Sequence, residues 1–199
     1  MINKILRWAS LLPALAAAGC IWSDYHETRY YDMQSPEPLP ALRSPVTVGV
    51  FANATPVRQR MLFSRGDGEV VVDEYNRFVQ PPDQMLVRYL SIAFGSQNDT
   101  QANAPVIAIN GRIFMFEFDL AKNEARCGVD YTMELRRPDG IVEPIRTESV
   151  IFRSEASSAD PDVVARAFSR CLMQLADRLY GVADQSADKT VNPRTAAGE

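Results

Sequence analysis

The chain has 199 residues, 46% of them apolar, and carries 21 Lys and Arg against 25 Asp and Glu. That length and composition suit one domain with a real core, and the acidic balance argues against nucleic acid as a partner. Three cysteines, too few and too far apart, exclude a structural zinc site on the ordinary pattern. Lysine is confined to Lys4, Lys122 and Lys189 while arginine is common. That bias suits carboxylate or phosphate recognition, or a biased base composition.

The first twenty residues decide where the rest resides. Lys4 and Arg7 precede an apolar run from Trp8 to Ala18, which closes on Ala16, Ala17, Ala18, Gly19 and Cys20. A basic start, a short apolar middle and a small-residue end make a secretory signal, too short to span a bilayer as a permanent helix. The segment resembles the bacterial lipoprotein pattern, although Ala17 stands where Leu is usual. On that pattern residues 1–19 are removed, Cys20 is the lipid attachment site, and acyl chains on its sulfur and new amine anchor the protein. The alternative is an ordinary cleaved signal. Removing Lys4 and Arg7 leaves 19 basic against 25 acidic residues. Ile21, in place of the Asp that retains many lipoproteins at the inner membrane, directs the expectation to the outer membrane, facing the periplasm.

Residues 20–27 form a polar tether containing the single histidine, His26, which is expected to be solvated. With no second histidine, a Ser-His-Asp or Cys-His system is not available on ordinary patterns. The pair Asp73 and Glu74 suits acid–base work in principle, but such pairs in turns usually face water.

Thr28 to Met33 is predicted as a first strand. Pro36, Pro38, Pro40 and Pro45 then force an extended connector. Val46 to Phe51 alternates, placing Val46, Val48 and Val50 on one face of a half-buried strand. Met61 to Ser64 and Glu69 to Asp73 flank Arg65, Gly66, Asp67 and Gly68, whose glycines supply the positive φ of a tight hairpin. The Arg-Gly-Asp triplet is read as that turn rather than as an adhesion signal. Because the two glycines open no helix, a nucleotide site is not expected.

Pro81, Pro82 and Asp83 open a helix whose apolar face is Met85, Leu86, Tyr89, Leu90, Ala93 and Phe94, with Gly95 ending it. Between Val106 and Leu120 the pattern changes phase: Ile107, Ile109 and Ile113 share one parity, and Phe114, Phe116 and Phe118 the other. A bulge or twist near Gly111 is expected to reconcile them. Val129, Tyr131, Met133 and Leu135 then alternate with polar residues. Pro138, Asp139 and Gly140 turn the chain, and Ile141 to Phe152 returns, with Pro144 marking an edge or bulge. Asp160, Pro161 and Asp162 start a last helix with Val164, Phe168, Cys171, Leu172, Leu175 and Leu179 on one face. Gly181 is expected to terminate it, and residues 185–199 read as a disordered tail.

The expected fold is therefore α+β: a single domain over 28–184 with a mainly antiparallel sheet and two helices packed on one face. Cys127 shares parity with the apolar face of its strand, and Cys171 lies on the apolar face of the last helix. A disulfide between Cys127 and Cys171 is expected, the alternative being two separate buried thiols.

This order of motifs resembles the auxiliary lipoproteins of ABC-type transport systems, which accompany MCE-type lipid transporters. The resemblance runs from about Thr28 to Tyr180. It rests on the lipoprotein Cys, Tyr30 and Tyr31, the Pro-rich link, Val46 to Val50, the hairpin from Met61 to Val72, then Glu74 to Phe78 and the helix after Pro81 and Pro82. Phe78 stands where the family typically has Trp. The resemblance implies a non-enzymatic periplasmic subunit that needs no cofactor or metal. Its implied partners are an MCE-domain protein and, through it, an ABC permease and ATPase, with phospholipid as an implied ligand. Exposed strands are expected to support a homo-oligomer. Two other classes stay open: an outer-membrane assembly lipoprotein without lipid contact, and a hydrolase using Asp73 or Glu74.

Overall fold

The computed structural model describes residues 26–66, 68–95 and 104–191; residues 1–25, where the expected signal, Cys20 and most of the expected tether fall, lie outside it. The elements are β1 (Arg29–Tyr31), β2 (Val46–Asn53), β3 (Arg60–Ser64), β4 (Val70–Phe78), α1 (Pro82–Ala93), β5 (Val106–Asp119), β6 (Glu124–Arg136), β7 (Val142–Glu155) and α2 (Pro161–Val191). The domain is α+β with one sheet, ordered β1-β4-β3-β5-β6-β7, and β2 also pairs with β5.

The sheet is mainly antiparallel, as expected, but mixed rather than purely so. The meander β5-β6-β7 and the hairpin β3-β4 are antiparallel, but β1 runs parallel to β4, and β2 and β3 both run parallel to β5. The physical cause lies in the short connection 54–59. It carries the chain onward in one direction, so β2 follows the first half of β5 and β3 its last two residues.

The hairpin forms as its glycines require. Arg65 donates its N–H to the Glu69 carbonyl at 3.0 Å, and Gly66 and Gly68 adopt φ of 73° and 91°. In β2 the expected alternation breaks. Val46 is buried and Val48 packs on the core, but a register shift before Phe51 turns Val50 outward, 76% exposed, and sends Phe51 inward instead.

A bulge does reconcile the two phases of β5, at Phe114 rather than near Gly111. Ile107, Ile109 and Ile113 before it, and Phe116 and Phe118 after it, all reach one core, while the Phe114 ring lies over Gly128 on the opposite face. Gly111 stays in register opposite Tyr131, and its missing side chain makes room for the Phe51 ring. Cys127, Val129, Tyr131, Met133 and Leu135 are all buried, as their spacing predicts. On β7, the edge strand beyond β6, a register shift beside Pro144 accommodates the residue that cannot donate.

Both helices cover one face of the sheet: α1 lies over β2 and β5, α2 over β6 and β7, and they touch each other. Phe78, Phe116 and Phe168 tie strand, strand and helix together, with ring centroids 4.0 Å apart for the stacked pair Phe116 and Phe168. Phe78 thus fills an interior aromatic position. α2 does not stop at Gly181 but continues to Val191, so the expected tail begins as helix. One glycine costs a helix only about 1 kcal/mol. Val182 and Ala183 offset that by packing on the core just beyond it.

Candidate functional site

Residues 32–39 leave β1 as a strap that crosses the two helices, held extended by Pro36 and Pro38. The strap is pinned along its length. The Asp32 carboxylate pairs with the Arg88 guanidinium of α1, and Met33 is buried. The Gln34 N–H donates to Ser169 Oγ of α2 at 2.9 Å, and the Leu39 N–H donates to the Ala93 carbonyl at 2.7 Å. Ser169 donates its own hydrogen back to the Ala165 carbonyl at 3.0 Å, which leaves its oxygen lone pair for the strap.

Beside the strap lies a cavity of about 360 Å³, lined from α1 by Tyr89 and Ala93 and from α2 by Arg170, Met173 and Asp177. A second cavity of about 230 Å³ adjoins it and shares Gln34, Ser35, Pro36 and Tyr89. Tyr89 is 6% exposed. Burial above all, and then the Asp177 carboxylate, push its pKa up, so the phenol stays neutral at physiological pH. Arg170 is already committed, donating from Nε to Ser154 Oγ at 2.8 Å and from its terminal nitrogen to the Glu155 carbonyl. Charge and hydrogen-bonding groups on an apolar floor suit binding a ligand.

The residues singled out in the sequence are dispersed. Cys20 lies outside the described residues. Cys127 and Cys171 face the same layer between β6 and α2, yet the expected bond is not formed: both are free, buried thiols. Helix α2 seats Cys171 against Ala125 instead, the next residue along that face of β6, where its thiol donates to the Ala125 carbonyl at 3.4 Å. Asp73 shapes its own strand, accepting from the backbone N–H groups of Tyr75 and Asn76, each at 2.8 Å. Glu74 beside it is exposed. His26 stacks on Tyr75 with ring centroids 4.7 Å apart. Of the turn triplet, Arg65 pairs with Glu69 at 3.0 Å, and Asp67 lies outside the described residues.

Among the described residues no group of three or more His, Cys, Asp or Glu is placed to hold a metal ion. None of the described helices is long and apolar enough to cross a membrane. Sequence reasoning assigned Tyr89 to the core and passed over Asp177. The available signal was a hydroxyl inside the otherwise apolar stripe that starts at Met85, and an acid between Leu175 and Leu179.

No protein-family model and no curated protein matches the chain. Among solved structures, protein XCC0632 from Xanthomonas campestris, assigned to DUF330, is similar, with a TM-score of 0.58 at 20% identity over 81% of this chain and 99% of that one. Another, titled only as an uncharacterized protein, has a TM-score of 0.49 at 15% identity over 77% and 99%. The likeness to the Xanthomonas protein is one of fold: an α+β domain that bacteria use.

Proposed function

We propose that the chain is a periplasm-facing lipoprotein subunit of an ABC/MCE-type transport system. Anchored in the outer membrane through acyl chains on Cys20, it binds an MCE-domain protein and helps pass phospholipids or similar hydrophobic molecules between the two membranes. A cytoplasmic ATPase, coupled through a permease, supplies the energy, and the chain itself catalyses nothing.

The observation that carries this reading is the succession of elements. Tyr30 and Tyr31 in a first strand, a Pro-rich strap, the Val46 strand, the glycine hairpin and the helix opening at Pro82 follow one another in the order the transport-auxiliary lipoproteins have. A fold shared with a bacterial DUF330 protein agrees with it. The tether is short, so acylation at Cys20 would hold the domain close to the membrane surface. The outer edge of β7 has no partner strand among the described residues, which suits assembly of copies edge to edge.

Affinity purification of the full chain from native membranes tests this reading. An MCE-domain protein, a permease and an ATPase are expected to copurify. Recovery of an outer-membrane assembly complex instead, or turnover lost on Asp73→Asn or Glu74→Gln, would assign the chain to a different class.

A further inference from the structure

One corner of the sheet gathers the arginines that the fold leaves unengaged. Among the described residues, the side chains of Arg29, Arg58, Arg60 and Arg77 form no hydrogen bond or ion pair, whereas Arg88, Arg112, Arg126, Arg153 and Arg178 each meet a carboxylate. Arg29 lies on β1, Arg77 on β4 and Arg60 on β3, three neighbouring strands, and Arg58 lies just before β3. The register sets Tyr30 opposite Arg77 and Arg77 opposite Arg60. Their chain neighbours Tyr31, Phe78 and Met61 pack on the core. Tyr30, Arg77 and Arg60 therefore form one row on the sheet face away from the helices.

Like charges directly opposite each other on neighbouring strands are destabilising. No carboxylate among the described residues pairs with either guanidinium, and even the buried Nε of Arg77 has no hydrogen-bond partner. An oxyanion bridging the two guanidinium groups would relieve the repulsion, and phosphate oxygens match their planar fork. Tyr30, 59% exposed, ends the row, and Tyr75, 42% exposed, lies two residues before Arg77. Glu27, Asp73 and Glu74 belong to the same segments but pair with none of these arginines, and Asp73 is turned to the backbone of Tyr75 and Asn76. They leave the corner only weakly positive, so recognition falls to the arginine row rather than to net charge.

The same corner receives the chain from its anchor. His26 stacks on Tyr75, and β1 begins three residues later. Cys20 stands six positions before His26, and six residues reach at most about 20 Å. We propose that this face of β1, β4 and β3 lies against the anionic phospholipid surface in which Cys20 is anchored. Arg60 and Arg77 hold headgroup phosphates, and Tyr30 and Tyr75 sit at headgroup level, where tyrosine is favoured. The orientation of the domain rests on the reading of Cys20 as acylated; the lipid preference of the face does not.

Cosedimentation with vesicles provides the test, using the chain beginning at Ile21, which keeps every described strand and helix and carries no acyl chain. Vesicles of phosphatidylglycerol mixed with phosphatidylcholine are expected to bind it at least about tenfold more tightly than phosphatidylcholine alone at low salt, with the preference fading as salt rises. Arg60→Gln combined with Arg77→Gln should remove about tenfold of that affinity. Because this change relieves a repulsion, thermal unfolding should show the double variant at least as stable as the wild type. Arg137→Gln combined with Arg166→Gln removes the same charge from the β6-β7 turn and from α2, and should bind as the wild type does. Equal binding to both vesicles, no binding to either, wild-type affinity in the Arg60 and Arg77 variant, or an equal loss in the Arg137 and Arg166 variant overturns the proposal. Mass spectrometry of the full chain from membranes reads the anchor separately: an unacylated Cys20 would end that reading and leave the vesicle preference in place.

Discussion

The Cys171 thiol donates to the main-chain oxygen of Ala125, 3.4 Å away, one step along the β6 face from Cys127. Burial, its largest influence, pushes the Cys171 pKa up to about 12, and burial likewise raises Cys127 well above the usual thiol range. Neither sulfur forms the nucleophilic thiolate at mildly alkaline pH. Iodoacetamide is therefore expected to leave both residues unmodified in the native domain and to alkylate both in urea, as read by peptide mass spectrometry. Rapid native alkylation of either would contradict the packing described.

Glu148 on β7 accepts from Arg178 of α2 at 2.7 Å and from the Tyr131 hydroxyl of β6. Arg178 above all, then Tyr131, lowers its pKa from 4.5 to about 2. The folded value lies below the unfolded one, so the stabilisation is complete above about pH 4.5 and is lost as pH falls toward 2. With the glutamate side chain 21% exposed and the arginine 47%, solvent limits the cluster to about 1 kcal/mol. Urea unfolding should show Glu148→Gln less stable than the wild type by that amount at neutral pH, with the gap closing in acid. A gap independent of pH would mean that the pair contributes nothing electrostatic.

Arg126 lies on the sheet face away from the helices, 2.9 Å from Glu117 and 3.1 Å from Asp119, whose side chain is 3% exposed. Asp119 also accepts the backbone N–H groups of Ala121 and Lys122, closing the β5-β6 turn. Removing the guanidinium strands a buried carboxylate, so Arg126→Ala should cost roughly 3 kcal/mol. Arg126→Lys should recover part of that loss. A cost below about 1 kcal/mol for the alanine variant would show that solvent already screens the cluster.

Two glycines, expected to mark a bulge and a helix end, stand in opposite surroundings. A Cβ on Gly111 would stand 2.1 Å from the Asp130 carbonyl oxygen and 2.8 Å from the Phe51 ring, whereas one on Gly181 meets nothing within 4 Å. Gly111→Ala is expected to destabilise by about 3 kcal/mol or more, because the β5-β6 backbone must move. Gly181→Ala is expected to stabilise by about 1 kcal/mol, as for a helix-interior position with room for a methyl group. Loss of stability in Gly181→Ala would indicate a helix end at that position after all.

Local chemistry made much of the fold legible in the sequence. Gly66 and Gly68 specify a turn, Pro82 a helix start, and Pro144 an irregular edge strand, each through its own backbone. The parity of Cys127 to Leu135 identifies a buried face without reference to any other element. The parallel pairings were not legible, since β2 and β3 meet β5 across long stretches of chain and share one of its edges. The outward turn of Val50 follows from that pairing too, with the Asn110 side chain accepting the Val50 N–H at 3.1 Å. The cavity was hidden for a similar reason. Tyr89, Asp177 and Glu37 come from three segments, and only the packing of strap on helices gathers them.

Direct association with an MCE-domain protein is the measurement closest to the central claim. The chain beginning at Ile21, mixed with the purified periplasmic part of an MCE-domain protein from the same cells, should elute with it from a sizing column as a larger assembly. A chain that remains strictly monomeric and elutes apart from every MCE-domain protein of its cell would contradict the proposed role.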